Sequence, residues 1–124
     1  PSALVDLNGV SGLDVLEERD SELHVGALVR QQRLLEDELV GASWPLLREA
    51  ARFVGYKETR RRGTVGGSIA FAAPWAELTA AAVALAAQIE AAPVVKFINS
   101  LLADAVQRRD VGEACRGIIA VVQP

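Results

Sequence analysis

The chain is most distinctive between residues 60 and 78, where it reads RRRGTVGGSIAFAAPWAEL. At the centre of this stretch two adjacent glycines, Gly66 and Gly67, lie between the hydroxyl residues Thr64 and Ser68. Glycine can adopt positive φ and lets a ligand approach the backbone closely because it carries no Cβ. Successive N–H groups in such a turn can form a concave anion site, and the two hydroxyls would add donors at its rim. The stretch therefore predicts a phosphate-binding turn, with an ordinary loop turn as the alternative.

Helical patterns surround this turn. One follows Ser43, a predicted N-cap, and ends at Gly55. Its apolar residues recur at helical spacing: Leu46, Leu47, Ala50, Ala51 and Val54. Further patterns predict a short polar helix over 31–40, a helix over 76–90 and a third over 94–109.

Strand patterns lie near both ends of the chain. An apolar segment at 3–7 is one candidate strand. Residues 13–18 and 23–28 flank residues 19–21 and predict a hairpin with one buried face. A second apolar run, at 118–122, predicts a buried strand. Together these patterns predict an α+β fold in which short antiparallel strands pack against helices.

The composition is that of one ordered globular domain. Of the 124 residues, 51% are hydrophobic and 23% are charged. The net charge of −3 argues against a nucleic-acid surface, and no apolar run is long enough for a membrane span. Cys115 is the only cysteine, which excludes an internal disulfide and cysteine-held iron–sulfur or zinc sites and favours a reducing, cytoplasmic location. Methionine is absent and the chain begins at Pro1, so we expect it to be part of a longer protein.

The stretch at 60–78 resembles the second flavin motif of the FAD-binding subunits or domains of molybdenum hydroxylases, a family that includes carbon monoxide dehydrogenase medium subunits and the flavin domain of xanthine dehydrogenase. The family pattern reads R-x-R-G-(T/S)-(I/V)-G-G-(N/S), then P-x-x-(D/E)-L. This chain matches it with Arg60, Arg62, Gly63, Thr64, Val65, Gly66, Gly67 and Ser68, then Pro74, Glu77 and Leu78. Upstream, PSALVDLNGVSGLDVLEERDSELHVGALV and WPLLREAARFVG are also similar to the family. The resemblance covers residues 1–90, a partial FAD-binding domain, and residues 91–124 are expected to form a divergent helical tail with a possible terminal strand.

The resemblance implies a fold like the second subdomain of the PCMH-type FAD-binding domain, with FAD as the cofactor. The cofactor-binding residues that it implies are Thr64, Val65, Gly66, Gly67, Ser68 and Glu77. The turn would pack its backbone on the FAD diphosphate, with Thr64 and Ser68 as hydroxyl donors. The Glu77 carboxylate would accept hydrogen bonds from ribityl hydroxyls. The alternative is an acid in the first helical turn that is favoured by the helix dipole, and the two roles are compatible. We expect no catalytic side chain and no metal site in the chain.

Two positions depart from the family pattern, and one aromatic residue lies beside the motif. Ala73 and Phe71 stand where family members often carry Asp and His, so hydrogen-bonding groups are missing there. Trp75 is expected to be a core or interface aromatic rather than a partner that stacks on the flavin ring. The residues Arg60, Arg61 and Arg62 are expected to be a solvated run rather than phosphate ligands. For Arg60 and Arg62, which match family positions, a structural role is the alternative.

Two functions follow from this resemblance. In the first, the chain is part of a flavin subunit that passes electrons from iron–sulfur clusters to an acceptor. Its partners would be a molybdopterin-containing large subunit and an iron–sulfur small subunit, with no nucleic acid and no membrane. In the second, the chain lacks the Gly-rich flavin loop expected before Pro1 and is a truncated scaffold or interaction module that binds no cofactor alone.

Overall fold

The structure is a computed structural model that describes residues 6–91 and 118–122. Its described elements are, in chain order, β1 (Leu16–Arg19), β2 (Glu22–Val25), α1 (Gln31–Glu36), α2 (Glu38–Ser43), α3 (Pro45–Phe53), α4 (Lys57–Arg62), α5 (Val65–Phe71), α6 (Glu77–Ala84), β3 (Gln88–Ala91) and β4 (Ile118–Val122). Short antiparallel strands combine with helices, so the predicted α+β class is confirmed. Among the helices of the described ranges, none has the length and apolar character that a bilayer crossing requires.

The four strands form one antiparallel sheet in the order β1-β2-β4-β3. The hairpin predicted around residues 19–21 is confirmed, with strands shorter than the sequence pattern suggested. Asp20 and Ser21 turn the chain with φ of 52° and 65°, as a two-residue hairpin of matching twist requires. The strand predicted at 118–122 is also confirmed, and it lies between β2 and β3. The sheet therefore joins residues on both sides of position 90, and the division of the chain there remains a prediction.

The helix predicted over 31–40 is two helices, because Asp37 interrupts it. The Asp37 carboxylate accepts hydrogen bonds from the amides two and three residues later, at 3.0 and 3.3 Å, and so caps the start of α2. Helix α2 then continues through Ser43, which makes the predicted N-cap at Ser43 wrong. Trp44 precedes α3 without a side-chain cap, and Pro45 occupies the first helical position, where its missing N–H costs nothing.

The helix predicted over 76–90 is wrong in its second half. Helix α6 ends at Ala84, and Ala86 has a left-handed φ of 49°. The following residues form β3 and pair with β4, for example Ile89 with Ala120. Tertiary pairing therefore overrides the helical preference of an alanine-rich segment. The predicted helix over 94–109 and most of the predicted strand over 3–7 lie outside the described residues.

The core joins the hairpin to five of the six described helices. Its buried residues are Leu16, Leu23, Val25, Val29, Leu34, Val40, Trp44, Leu47, Ala51, Val65, Ile69, Leu78, Ala81 and Ala82. Two of them, Val65 and Ile69, belong to α5, the helix that carries the Gly-Gly pair. Core packing therefore fixes the position of the motif, while its polar residues remain near the surface.

Candidate functional site

The Gly-Gly pair lies in the first turn of α5, not in an isolated loop. Thr64 is the N-cap, with φ −113° and ψ 157°, and its Oγ1 accepts a hydrogen bond from the Gly67 amide at 3.0 Å. Of the glycines in the described ranges, Gly12 and Gly55 have positive φ, but Gly66 and Gly67 do not. Left-handed conformation is therefore not the reason for glycine in this motif.

The main-chain amides of residues 65–68 all have acceptors inside the protein. The first two donate to the carbonyls of Val29 and Ala27, both at 2.9 Å. The next two donate to the side chain and the carbonyl of Thr64, at 3.0 and 3.1 Å. Buried amides require such partners. The prediction that these N–H groups converge on an anion is therefore wrong for this structure.

The glycines of the motif have different surroundings. A Cβ on Gly66 would lie 2.7 Å from the Ala27 Cβ and 2.8 Å from the Ala27 carbonyl oxygen. A Cβ on Gly63 would lie 2.5 Å from Oε1 of Gln31. Gly67 is exposed, and a Cβ there would meet Thr64 Oγ1 at 2.9 Å. Gly63 and Gly66 therefore permit close packing, whereas Gly67 leaves its backbone open to a ligand.

The remaining candidate donors are hydroxyl groups. Thr64 and Ser68 are both half-buried. The Thr64 oxygen accepts from Gly67, which leaves its hydrogen free to donate, and the Ser68 hydroxyl has no hydrogen-bond partner within the described part of the chain. Two hydroxyl donors beside an uncovered glycine backbone fit the oxygens of a diphosphate. Val65 is only 4% exposed, so it offers a ligand neither a free amide nor an accessible side chain.

Glu77 lies on the helix next to the motif. It is the first residue of α6, it is half-buried, and α5 and α6 pack against each other. Within the described ranges its carboxylate has no hydrogen-bond partner. A carboxylate in the first helical turn is favoured by the helix dipole, and it is also free to accept hydrogen bonds from hydroxyl groups. The structure is compatible with both roles that the sequence suggested.

The end of α5 and the segment that leads into α6 present aromatic side chains to solvent. Phe71 and Trp75 are 79% and 80% exposed, so Trp75 is not a core residue. Ala73, at one of the two positions that depart from the family pattern, is buried. Residues 71–75 therefore include one buried residue, Ala73, and two solvent-exposed aromatic side chains.

Arg60 has a structural role at the end of α3. Its guanidinium donates to the carbonyls of Val54 and Gly55, at 2.8 and 2.7 Å, and to Oε1 of Gln32 at 3.1 Å. Arg61 and Arg62 are exposed. The alternative of a structural role therefore holds for Arg60, and the expectation of solvation holds for Arg61 and Arg62.

Sequence reasoning missed Arg30 and Gln31. Arg30 donates to the Arg62 carbonyl and, at 2.7 Å, to Oδ1 of Asn8. Gln31 is the one polar residue in the buried set of the described ranges, and its Nε2 lies 3.5 Å from the Thr64 carbonyl. Local patterns carry no signal for these contacts, because the partners are more than twenty residues apart in the chain.

Comparison with known proteins agrees with the resemblance. The family described as the FAD binding domain in molybdopterin dehydrogenase matches residues 1–102. The alpha subunit of the 6-hydroxypseudooxynicotine dehydrogenase complex of Paenarthrobacter nicotinovorans is 40% identical over 91 residues, which are 73% of this chain and 31% of that protein. The carbon monoxide dehydrogenase medium chain of Hydrogenophaga pseudoflava is 34% identical over 87 residues, 70% of this chain and 30% of that protein. The chain thus spans about a third of the length of these relatives.

A solved structure supports the same fold. The crystal structure of quinoline 2-oxidoreductase from Pseudomonas putida 86 contains a chain that matches 99% of this one, over 44% of its own length. The TM-score is 0.79 and the sequence identity is 28%. FAD is the cofactor of the family whose pattern spans residues 1–102. The chain belongs to the FAD-binding domain family of the molybdopterin dehydrogenases.

Proposed function

We propose that the start of α5 binds the diphosphate of FAD through side-chain hydroxyls and an open glycine backbone. Thr64 and Ser68 donate to phosphate oxygens, and Gly67 lets the diphosphate approach the main chain. The observation that carries this proposal is the different exposure of two adjacent glycines. Gly66 is closed off by Ala27, whereas Gly67 is exposed beside both hydroxyls.

Val65 and Gly66 anchor the proposed site to the rest of the protein. Their amides bind the carbonyls of Val29 and Ala27, and the Val65 side chain packs in the core. These contacts hold the α5 N-terminus against the segment that follows β2. Their role toward FAD is thus to fix where the hydroxyls lie, since a rigid support is what makes a binding geometry reproducible.

Glu77 completes the proposed site as a hydrogen-bond acceptor. Its carboxylate has no partner in the described ranges and lies on α6, which packs against α5. Ribityl hydroxyls are donors that a carboxylate accepts well. We assign it this role, in addition to its favourable position at a helix N-terminus.

In the whole protein, we propose that the flavin site passes electrons from iron–sulfur clusters to an acceptor. FAD supplies the electron-transfer chemistry, and the chain's residues bind and orient it. The proposal rests on relatives that are named as a dehydrogenase complex subunit and as a medium chain. A molybdopterin-containing large subunit and an iron–sulfur small subunit are the partners this implies. We also propose a cytoplasmic location, which the single cysteine favours.

One observation favours the alternative, a scaffold that binds no cofactor by itself. All four amides from Val65 to Ser68 are already hydrogen-bonded within the protein. A phosphate would therefore meet two hydroxyls but no free amide in this turn. The two functions differ in whether the chain binds FAD at all.

The test is a titration of the chain with FAD up to millimolar concentration, followed by flavin fluorescence. We expect weak binding that ADP displaces and adenosine does not, because ADP carries the diphosphate. Ser68→Ala should lower the FAD affinity about tenfold or more, the effect of losing a hydrogen bond to a charged group. Ser43→Ala, the same change at an exposed serine of α2, is the matched control and should change nothing. No binding by the unaltered chain, or displacement by adenosine, would contradict the diphosphate site.

A further inference from the structure

The segment that follows β2 pairs with the segment that enters the flavin motif. The Gln31 amide donates to the Gly63 carbonyl at 3.0 Å, and Arg30 and Thr64 face each other in an antiparallel bridge. The amides of Val65 and Gly66 donate back across the same pairing, each at 2.9 Å. The backbone entering the proposed site is thus held by residues 27–31.

Arg30 extends this pairing with its side chain. One guanidinium nitrogen donates to the Arg62 carbonyl, and another donates to Oδ1 of Asn8 at 2.7 Å. Asn8 is itself held by the Asp6 carboxylate, which accepts from its amide at 2.9 Å and from its Nδ2 at 2.7 Å. Arg30 therefore connects three separate segments of the chain. One of its acceptors, the Arg62 carbonyl, lies two residues before the Thr64 cap.

We propose that Arg30 is a positioning residue for the flavin site. This inference rests on the proposed function. Arg30 makes no contact with FAD and acts through the Arg62 carbonyl, which its guanidinium links to Asn8. The planar guanidinium suits this task because it directs several N–H donors in a fixed fork toward two acceptors. When the fork is removed, the entry to the motif gains freedom, and the two hydroxyls at Thr64 and Ser68 are held less firmly.

Arg33 provides a matched control close to Arg30 in the chain. Arg33 is in α1, three residues after Arg30, and its guanidinium also donates to a main-chain carbonyl, that of Asp14 at 2.8 Å. Arg33→Ala removes the same charge and the same type of hydrogen bond as Arg30→Ala, but away from the motif. Comparing the two variants separates positioning from a general loss of positive charge near an anionic ligand.

The experiment measures amide hydrogen exchange and FAD affinity in the 124-residue chain. In Arg30→Ala we expect exchange of the Val65 and Gly66 amides to quicken roughly three- to tenfold, with FAD affinity falling by a similar factor, as for one lost hydrogen bond. Arg33→Ala should leave both values unchanged. Arg30→Lys keeps the charge but not the fork, so it should show most of the Arg30→Ala effect.

A second variant guards against misfolding. Fluorescence of the buried Trp44 reports whether each variant unfolds at the same denaturant concentration as the unaltered chain. If Arg30→Ala does not fold, Asn8→Ala removes only one acceptor, in an exposed segment, and should quicken exchange at Val65 and Gly66 to a smaller degree.

Three results would overturn the inference: unchanged exchange at residues 65 and 66 in Arg30→Ala, full restoration by Arg30→Lys, or the same changes in Arg33→Ala. These outcomes are separate from failure of the proposed function. Unchanged exchange with intact FAD binding rejects the Arg30 role and leaves the flavin site standing. Absence of FAD binding in the unaltered chain rejects the flavin site. In that case, faster exchange in Arg30→Ala would still show that Arg30 fixes the backbone that enters the motif.

Discussion

Gly66 and Gly67 are adjacent in the chain but differ in their surroundings. Gly66 is buried against the Ala27 backbone, and Gly67 is exposed at the start of α5. The sequence predicted a special role for the pair, because two glycines between hydroxyl residues are typical of a phosphate turn. It could not predict which glycine packs and which stays open, since that depends on Ala27, almost forty residues earlier.

The first prediction concerns Gly66→Ala. The added Cβ would lie within 2.8 Å of the Ala27 backbone, which cannot move aside as a flexible side chain would. We expect the free energy of unfolding to fall by about 1–3 kcal/mol, the usual cost of overpacking a closed site. Denaturant unfolding measures this loss.

Gly67→Ala is the matched comparison. Its Cβ would meet only the Thr64 hydroxyl, and alanine favours the helix by roughly 0.5–1 kcal/mol over glycine. We therefore expect a stability close to that of the unaltered chain together with weaker FAD binding. Equal destabilisation by the two substitutions would refute the division of roles between the glycines.

The second prediction concerns the acid response of Asp6. Hydrogen bonds from Asn8, first from its amide and then from its side chain, lower the pKa of Asp6 below its ordinary value of 3.8. Because the pKa is lowered, Asp6 is ionised and holds Asn8 by these hydrogen bonds at any pH above its ordinary pKa. The hydrogen bonds are lost as the pH falls through the lowered pKa. The Asn8 amide resonance, followed during acid titration, should therefore change below pH 3.8. A midpoint at or above that value, or the same change in Asp6→Asn, would contradict the contact.

At the scale of elements, capping and pairing decide where helices and strands end. Asp37 divides one predicted helix into α1 and α2. The residues predicted to form the end of the helix over 76–90 instead form the strand β3. The hairpin at Asp20 and Ser21 was predictable, because its turn and its alternation are local features. The boundary near Ala86 was not, since it depends on pairing with β4, whose residues come some thirty positions later.

The third prediction tests the cap between α1 and α2. Asp37→Ala removes the acceptor of two helix amides and should lower the free energy of unfolding by about 1 kcal/mol. Asp37→Asn keeps a side-chain oxygen in place and should recover most of that loss. Both variants should bind FAD like the unaltered chain, because the cap lies outside the proposed site. If Asp37→Ala is fully folded but binds FAD more weakly, the conclusion that the cap lies outside the proposed site is contradicted.

At the scale of the whole molecule, one sheet and one core hold the motif helix in place. Strand β4 lies between β2 and β3, so the sheet unites residues that are about a hundred positions apart. The family and its cofactor were predictable from the motif at residues 60–78, which the match over residues 1–102 confirms. The geometry of the motif was not predictable. The amides that were expected to face an anion donate instead to the carbonyls of Ala27 and Val29 and to Thr64. The proposed diphosphate site therefore depends on a pair of hydroxyls beside Gly67.

The most direct test of that arrangement is a map of amide chemical shifts during titration of the chain with FAD up to millimolar concentration. We expect the largest shifts at Gly67 and Ser68, smaller shifts at Thr64 and Glu77, and none at Asp37, which lies outside the proposed site. Shifts that centre instead on Arg60 to Arg62, or that are absent throughout the α5 N-terminus, would contradict a diphosphate site built on the hydroxyls of this helix.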